Sequence, residues 1–484
     1  MGAINKTFVS NLLMLIGVNL LIKPFYLLVI EAQVQERIGA ENFGLYFALL
    51  NISFILNILP DLGITNWNNR NIAQQGIIHR TELNKLLRLR LILGSIYIAA
   101  CLIVGFLLNY DNSSVTMLIV LAFNQVLATG ILFFRSYLSG MHRFAADRII
   151  SISDRILLIL LLGGALITTS EEEAFPIDYL IYGQTTAYAL TLLLAFIFVK
   201  RFSSHEITER SSNTSSILSS SLPFATLILV SMMSSRIDSI MLERMGGSFQ
   251  AGIYAMSFRL GDMLTMISYL FAVMLLPIFS RLLAKQKNPA ELFGIAFRML
   301  LVGCTSIVAL CVLNPSWILS IIYDQHIEEA SLILPWTMAG AALFSLQYTT
   351  GTLLTSDGRM KPLILISSLA LLCNVLLNTQ LIPIHLAAGA AQAAFVSQAL
   401  VFILQSILVQ TYYRVWTPSL ITHSIAFVLL SACSLMLIHA SDWAAPLEIF
   451  ILAISIASAA ILLRMLPLQD MLSNFKTETN NTAS

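Results

Sequence analysis

Glu36-Arg37-Ile38-Gly39, four further residues and then Gly44-Leu45-Tyr46 recur 207 positions later as Glu243-Arg244-Met245-Gly246, five residues and Gly252-Ile253-Tyr254. Each copy is a short polar stretch between two long apolar runs. A repeat that carries its loop with it implies two homologous membrane lobes with a cleft between them. Two-lobed membrane proteins built this way are typically transporters that work the cleft from alternate sides.

Composition supports a membrane protein. Of the 484 residues 57% are hydrophobic and 11% charged, and the mean hydropathy is +0.82. Soluble domains carry about 25% charged residues. The apolar runs reach the ~20 residues needed to cross ~30 Å of hydrocarbon as helix, and lack the strict alternation of ~10-residue barrel strands. Fourteen spans are expected: 9–30, 43–63, 86–108, 115–137, 149–168, 178–200, 217–242, 252–280, 291–313, 330–354, 360–379, 387–411, 419–439 and 444–465. The first is not expected to be a cleaved signal peptide, since Lys23-Pro24 interrupts it and no small-x-small site follows.

Basic residues give a second reading of the same topology. Assigned to connections on alternate sides, 21 of the 27 Lys and Arg fall on one side, with Arg90, Arg135 and Arg155 counted among them. Only Arg37 and Arg244 fall on the other, and Lys23, Arg236, Arg259 and Arg298 lie inside spans. The positive-inside rule then places both termini in the cytoplasm. The net charge of +1 says nothing about partners, and no nucleic acid is expected. The five cysteines all lie in spans at no metal-like spacing, and read as packing residues.

The expected organisation is an N-terminal lobe over 1–200 (spans 1–6), a cytoplasmic linker over 201–215, a C-terminal lobe over 216–412 (spans 7–12), spans 13 and 14 over 413–466, and a cytoplasmic tail over 467–484. A weaker echo supports the six-plus-six split. Leu138-Ser139-Gly140-Met141-His142-Arg143, after span 4, resembles Leu354-Thr355-Ser356-Asp357-Gly358-Arg359, after span 10. An even number of spans per repeat makes the repeats parallel. The segment 314–329, with Trp317, Ile318 and Tyr323, reads as an interfacial anchor in preference to a gate.

These residues resemble the polysaccharide-flippase branch of the multidrug/oligosaccharidyl-lipid/polysaccharide exporter superfamily, typified by O-antigen (Wzx-type) flippases. The likeness covers nearly the whole chain. It is carried by Ser10-Asn11, the Glu36–Tyr46 loop, Asp61-Leu62-Gly63-Ile64 and Arg70-Asn71-Ile72-Ala73 in the first half. In the second it is carried by Ser235-Arg236-Ile237-Asp238, Gly252-Ile253-Tyr254, Leu276-Pro277 with Arg281, and Gly358-Arg359. The resemblance implies an all-α polytopic fold, two six-helix lobes in a V plus two C-terminal helices. It also implies movement of a polyprenyl-pyrophosphate-linked oligosaccharide from the cytoplasmic to the outer leaflet of a bacterial inner membrane. Membrane lipid and polysaccharide polymerase machinery are the further partners implied.

A charge at mid-bilayer costs at least ~2.5–3.5 kcal/mol on insertion scales, so it faces a cavity or a partner. Lys23, Arg236, Arg259 and Arg298 are therefore candidates for a basic cleft that holds the pyrophosphate. Arginine offers a planar fork to phosphate oxygens and lysine a point charge. The alternatives are structural. Arg259 and Asp262, i and i+3, suit mutual neutralisation, and Lys23 and Arg298 lie within snorkelling reach of an interface. Arg236 and Asp238, i and i+2, do not share a face. Asp238 and Asp262 are candidates for H⁺ or Na⁺ coupling, against the alternative of charge balance; no other cofactor is expected. Asn51, Asn57, Asn124, Gln125, Gln184, Gln347, Asn374 and Asn378 suit either a wet cavity or interhelical hydrogen bonds.

Two rivals share the fold: a cation-coupled multidrug exporter, and a peptidoglycan-precursor flippase. The mid-span charges, Lys23, Arg236, Arg259 and Arg298 against Asp238 and Asp262, lean away from the exporter. A membrane enzyme such as a glycan polymerase or ligase is the rival of another class. The chain shows no catalytic constellation, metal spacing or phosphate-binding glycine loop, so no enzyme is expected.

Overall fold

The computed structural model describes residues 21–65, 80–141, 143–170, 175–202, 214–441 and 443–465, with Gly17, Asn19, Asn68 and Ile72. Ser10-Asn11, Arg70-Asn71, Ala73, His142, most of the linker and the tail lie outside the described residues. Within them the chain is helical throughout, without a strand. A π-helical turn, Tyr26–Ile30, leads into α1 (Glu31–Ile38) and α2 (Ala40–Ile55). There follow α3 (Arg80–Leu107), α4 (Asn112–Gly140), α5 (Phe144–Thr168), α6 (Ile177–Phe202), α7 (Thr214–Gly246) and α8 (Ser248–Ala284). The remainder is α9 (Ala290–Leu313), α10 (Pro315–Ser320), α11 (Ile327–Ser356), α12 (Met360–Tyr413), α13 (Pro418–His439) and α14 (Ala445–Leu462).

Eleven of these helices are long and apolar enough to cross a membrane, among the described residues. One of them, the 54-residue α12, holds two of the expected spans. Its helical path breaks at Leu386 (φ 51°, ψ −127°), and a Cβ on Gly389 would fall 2.3 Å from the Leu381 carbonyl oxygen. The chain therefore turns back on itself where only glycine fits. Large apolar side chains point outward along the helices, among them Leu91, Phe106, Leu160, Ile167 and Leu437. Water would not tolerate so continuous an apolar surface, and hydrocarbon does.

Three expectations need correction. The second span was expected to run to residue 63, but α2 ends at Ile55 and turns follow, with Leu62 and Gly63 both at positive φ. Arg90, Arg135 and Arg155, counted with the connections, lie inside α3, α4 and α5, where each meets a carboxylate or a ring. The anchor reading of 314–329 suits Trp317 and Ile321, which are exposed. It does not suit Tyr323, which is buried and points its hydroxyl at Gln35.

The described chain forms two compact units. The first contains everything up to Met256, with Ile322–Gln325 and Val375–Ala390. Here α2 packs on α7, α4 on α2, α3 and α6, and α5 on α6. Polar groups in this apolar interior reach across helices: Gln184 donates to the Tyr46 hydroxyl (2.6 Å), Asn124 to Ile181 O (3.2 Å), and Thr185 to Asn124 Oδ1 (2.7 Å). The second unit holds Ser257–Ile321, His326–Asn374 and Ala391–Ser484. In it α9 packs on α11 and α13, and α13 on α14. Ser257 donates to Ala330 O (2.8 Å), Gln347 to Gln398 (3.0 Å), and Asn374 to Ser397 (3.1 Å). For Asn124, Gln184, Gln347 and Asn374 interhelical hydrogen bonding is therefore the observed role.

The echo after spans 4 and 10 is a shared helix ending. Arg143 N donates to Leu138 O (2.8 Å) and Arg359 N to Leu354 O (3.0 Å), each closing six residues. This 6→1 closure satisfies a carbonyl that the helix end leaves open. The arginines adopt nearly the same backbone, φ/ψ −85°/57° and −81°/57°.

Candidate functional site

Two arrangements of charge stand out inside the first unit. In the first, Asp61 follows the turn after α2 and accepts a hydrogen bond from Thr65 N (3.2 Å). Arg90 of α3 ion-pairs with Asp61 and lies over the Phe133 ring, 4.8 Å from its centroid. Every charge here has an opposite charge, and the guanidinium also has a ring. The motif Asp61-Leu62-Gly63 thus shapes a turn and anchors a helix.

The second arrangement surrounds Lys23. Arg155, Asp154 and Arg135 are near enough to act on it electrostatically. Arg135 gives two hydrogen bonds to Asp147, 2.6 and 3.4 Å. Arg155 sits 3.7 Å from Asp154 and 5.0 Å from the Tyr26 centroid. With Glu31 the group holds three cations and three carboxylates, but they are unevenly spread. Asp147 is committed to Arg135, and Asp154 lies beside Arg155. Among the described residues Lys23 makes no ion pair. The Tyr26 hydroxyl is buried with no hydrogen-bond partner among them. Lys23 and the guanidiniums are groups of a kind that bind phosphate oxygens, the lysine as a point charge and arginine as a planar fork.

Arg236 and Asp238 face different neighbours, as their i, i+2 spacing requires. Arg236 of α7 donates to Asn51 Oδ1 (3.3 Å) and lies 5.4 Å from the Phe54 centroid, both on α2. Asp238 is 1% exposed and accepts from Asn378 (2.8 Å). Lys23, Arg236 and Asp238 thus share a unit. Arg259, Asp262 and Arg298 belong to the second unit. Arg259 is buried, and the Arg298 Nε is buried without a hydrogen-bond partner among the described residues.

Arg155 and Arg135 were not among the candidate residues. The signal was present: Arg155 stands seventh in the span 149–168, and a charge that deep needs a reason. Its assignment to a connection concealed it.

Residues 8–283 match the family of polysaccharide biosynthesis proteins. That stretch is more than half of the chain. The chain belongs to this family. No curated protein matches it. Among solved structures, the lipid II flippase MurJ in an inward closed conformation is similar at 15% identity. The match covers 92% of this chain and 98% of that one, with a TM-score of 0.68. A MATE multidrug resistance transporter of the MOP superfamily, inward-facing, is similar at 14% identity over 80% of this chain and 100% of that one, TM-score 0.57. The MATE multidrug transporter DinF-BH is similar at 16% identity over 83% of this chain and 94% of that one, TM-score 0.57. These likenesses show a shared all-helical fold. The matched structures are of a flippase and of transporters, and what this chain shares with them is the fold.

Proposed function

We propose that this protein moves a polyprenyl-pyrophosphate-linked oligosaccharide from the cytoplasmic to the outer leaflet of a bacterial inner membrane by alternating access. The step serves a surface polysaccharide of the O-antigen, capsule or exopolysaccharide kind, with both termini cytoplasmic and the polymerase machinery downstream. Lys23 carries the reading: a cation inside an expected span, without an ion pair among the described residues and within electrostatic reach of Arg155 and Arg135. A pyrophosphate suits a lysine that lacks an ion pair among the described residues, and a charged head group crosses hydrocarbon only along a polar route. Arg236, which donates to Asn51 and lies over Phe54, is the second phosphate contact of the first unit. Arg259 and Arg298 are assigned to the same basic route from the second.

The buried Asp238 supports a further element, coupling to H⁺ or Na⁺, with Asp262 as the second candidate. It also favours the rival reading, a cation-coupled multidrug exporter on the same fold.

Mass spectrometry of lipids that co-purify with the gently solubilised protein tests the substrate. An enriched polyprenyl-pyrophosphate glycan is the expected result, whereas a bound organic cation with cation-driven dye efflux moves the assignment to the exporter. Arg236→Ala tests the site, because a hydrogen bond to a charged group is worth about 1.5–3 kcal/mol. Glycan export at normal protein level should fall at least roughly tenfold. Undiminished export removes Arg236 from the phosphate site.

A further inference from the structure

The two Glu-Arg-x-Gly loops align differently in space than in sequence. The residue at positive φ that joins α1 to α2 is Gly39 (φ 85°), and the one that joins α7 to α8 is Gly247 (φ 90°). Both accept the same returning bond, Phe43 N to Gly39 O (3.1 Å) and Ala251 N to Gly247 O (3.3 Å). Five positions on from each stand Gly44 and Gly252, which bring the loops into backbone contact. A Cβ on Gly44 would fall 1.8 Å from Ser248 O, and one on Gly252 1.9 Å from Ala40 O. In this register Gln35, not Glu36, is the counterpart of Glu243, and Glu36 that of Arg244.

The corrected register reveals a two-fold pattern of side chains. Tyr110, in the α3–α4 connection, donates its hydroxyl to Glu243 Oε2 at 2.6 Å. Tyr323, in the connection before α11, donates its hydroxyl to Gln35 Oε1 at 3.5 Å. The two connections occupy equivalent places in a six-plus-six repeat, so each repeat's tyrosine reaches the fourth residue before the other repeat's left-handed glycine. The next residues join the same connections. Arg244 lies 4.3 Å from the Tyr110 centroid, and Glu36 accepts from Asp324 N and, at 3.1 Å, from Gln325 N. Gln35 Nε2 also donates to Gly252 O at 3.0 Å, tying the loops directly. All these residues lie in the first unit.

The geometry points to a paired tyrosine latch, which we propose fastens the α1–α2 and α7–α8 ends together and must be released for that end of the protein to open. The halves differ in strength. Tyr110 binds a carboxylate at short range, and Tyr323 an amide at the limit of hydrogen bonding, so the Glu243 half is the stronger. The proposal takes its direction of opening from the alternating-access reading, but not the identity of the cargo.

The test uses Tyr110→Phe, Tyr323→Phe and the double variant, which keep the rings and delete only the hydroxyls. The reporter is Ala48→Cys, fully buried on α2 one helical turn beyond Gly44, in a full-length chain whose five native cysteines are replaced. Labelling by a membrane-impermeant maleimide is followed in intact cells and in inverted vesicles. Labelling from both sides separates a reversed topology from a failed latch. Thermal melting and gel filtration show that each variant is folded. The expected result is labelling from the loop-bearing side raised roughly tenfold in the double variant, more by Tyr110→Phe than by Tyr323→Phe. Unchanged labelling in a folded double variant overturns the latch. This readout needs no substrate, so a latch that releases while no glycan lipid co-purifies leaves the inference standing and removes the cargo assignment.

Discussion

Asp61 with Arg90 and Lys23 with Arg155 are two charged groups in the same unit, and they are resolved in opposite ways. Arg90 has a carboxylate and an aromatic face, and its side chain is 8% exposed. Lys23 has Arg155, Asp154 and Arg135 within electrostatic reach and no ion pair among the described residues. Removing one partner of a compensated pair leaves a buried charge behind. Removing an uncompensated charge relieves a cost. Burial alone does not say what removing an ion costs; the local charge balance enters too.

The largest effect expected from this contrast is on stability. Asp61→Ala strands Arg90 and should destabilise the protein by about 3–5 kcal/mol, the usual cost of breaking a buried pair from one side. Adding Arg90→Leu should recover much of that loss. Thermal unfolding of the detergent-solubilised single and double variants measures it, and a single variant as stable as the parent would put Asp61 among the solvated charges.

Lys23→Ala should do the reverse. Its melting temperature should match or exceed the parent's, while glycan export falls at least roughly tenfold through loss of a charged contact. A variant that melts early and exports normally would make Lys23 a structural ion like Arg90, and erase the contrast.

The smallest effect concerns a carboxylate held from outside the helices. Asp111 caps α4, accepting from Ser113 N (3.2 Å) and from the Ser113 and Ser114 hydroxyls, and these bonds hold its pKa down to about 2. A depressed carboxylate contributes stability above its unfolded value near ~3.9 and loses it as pH falls through the folded one. The difference in melting temperature between Asp111→Ala and the parent should be small at neutral pH and vanish as pH falls toward about 2. A difference that persists unchanged into acid would assign the cap to packing, not to charge.

Much of the fold was legible in the chain. Span length and hydropathy report directly on hydrocarbon thickness, and the repeated glycines report on a backbone turn that other residues resist. The split of 360–413 into two spans was readable for the same reason, although only the His385–Gly389 turn separates them. The end of α2 at Ile55 was harder to read, because Leu56, Ile58 and Leu59 continue the apolar run through a segment that is not helical.

The candidate site was half legible. Lys23 and Arg236 announce themselves as charges in apolar runs, and their neighbours do not. Arg155 lies on the fifth span and Arg135 on the fourth, and no local pattern links either to the first. The repeat misled by one residue: Glu-Arg aligns with Glu-Arg by letter, while Gly39 aligns with Gly247 by backbone.

The sequence by itself determined that this chain crosses a membrane many times, that it carries a repeated loop signature, and which charges stand in apolar runs. Those follow from properties of single residues and their near neighbours. Only the tertiary structure decided which of those charges are compensated, which residue of each repeat meets a tyrosine, and that Arg155 joins Lys23. Electrostatic balance and hydrogen bonding depend on distances between residues far apart in the chain, and those distances exist only once the helices have packed.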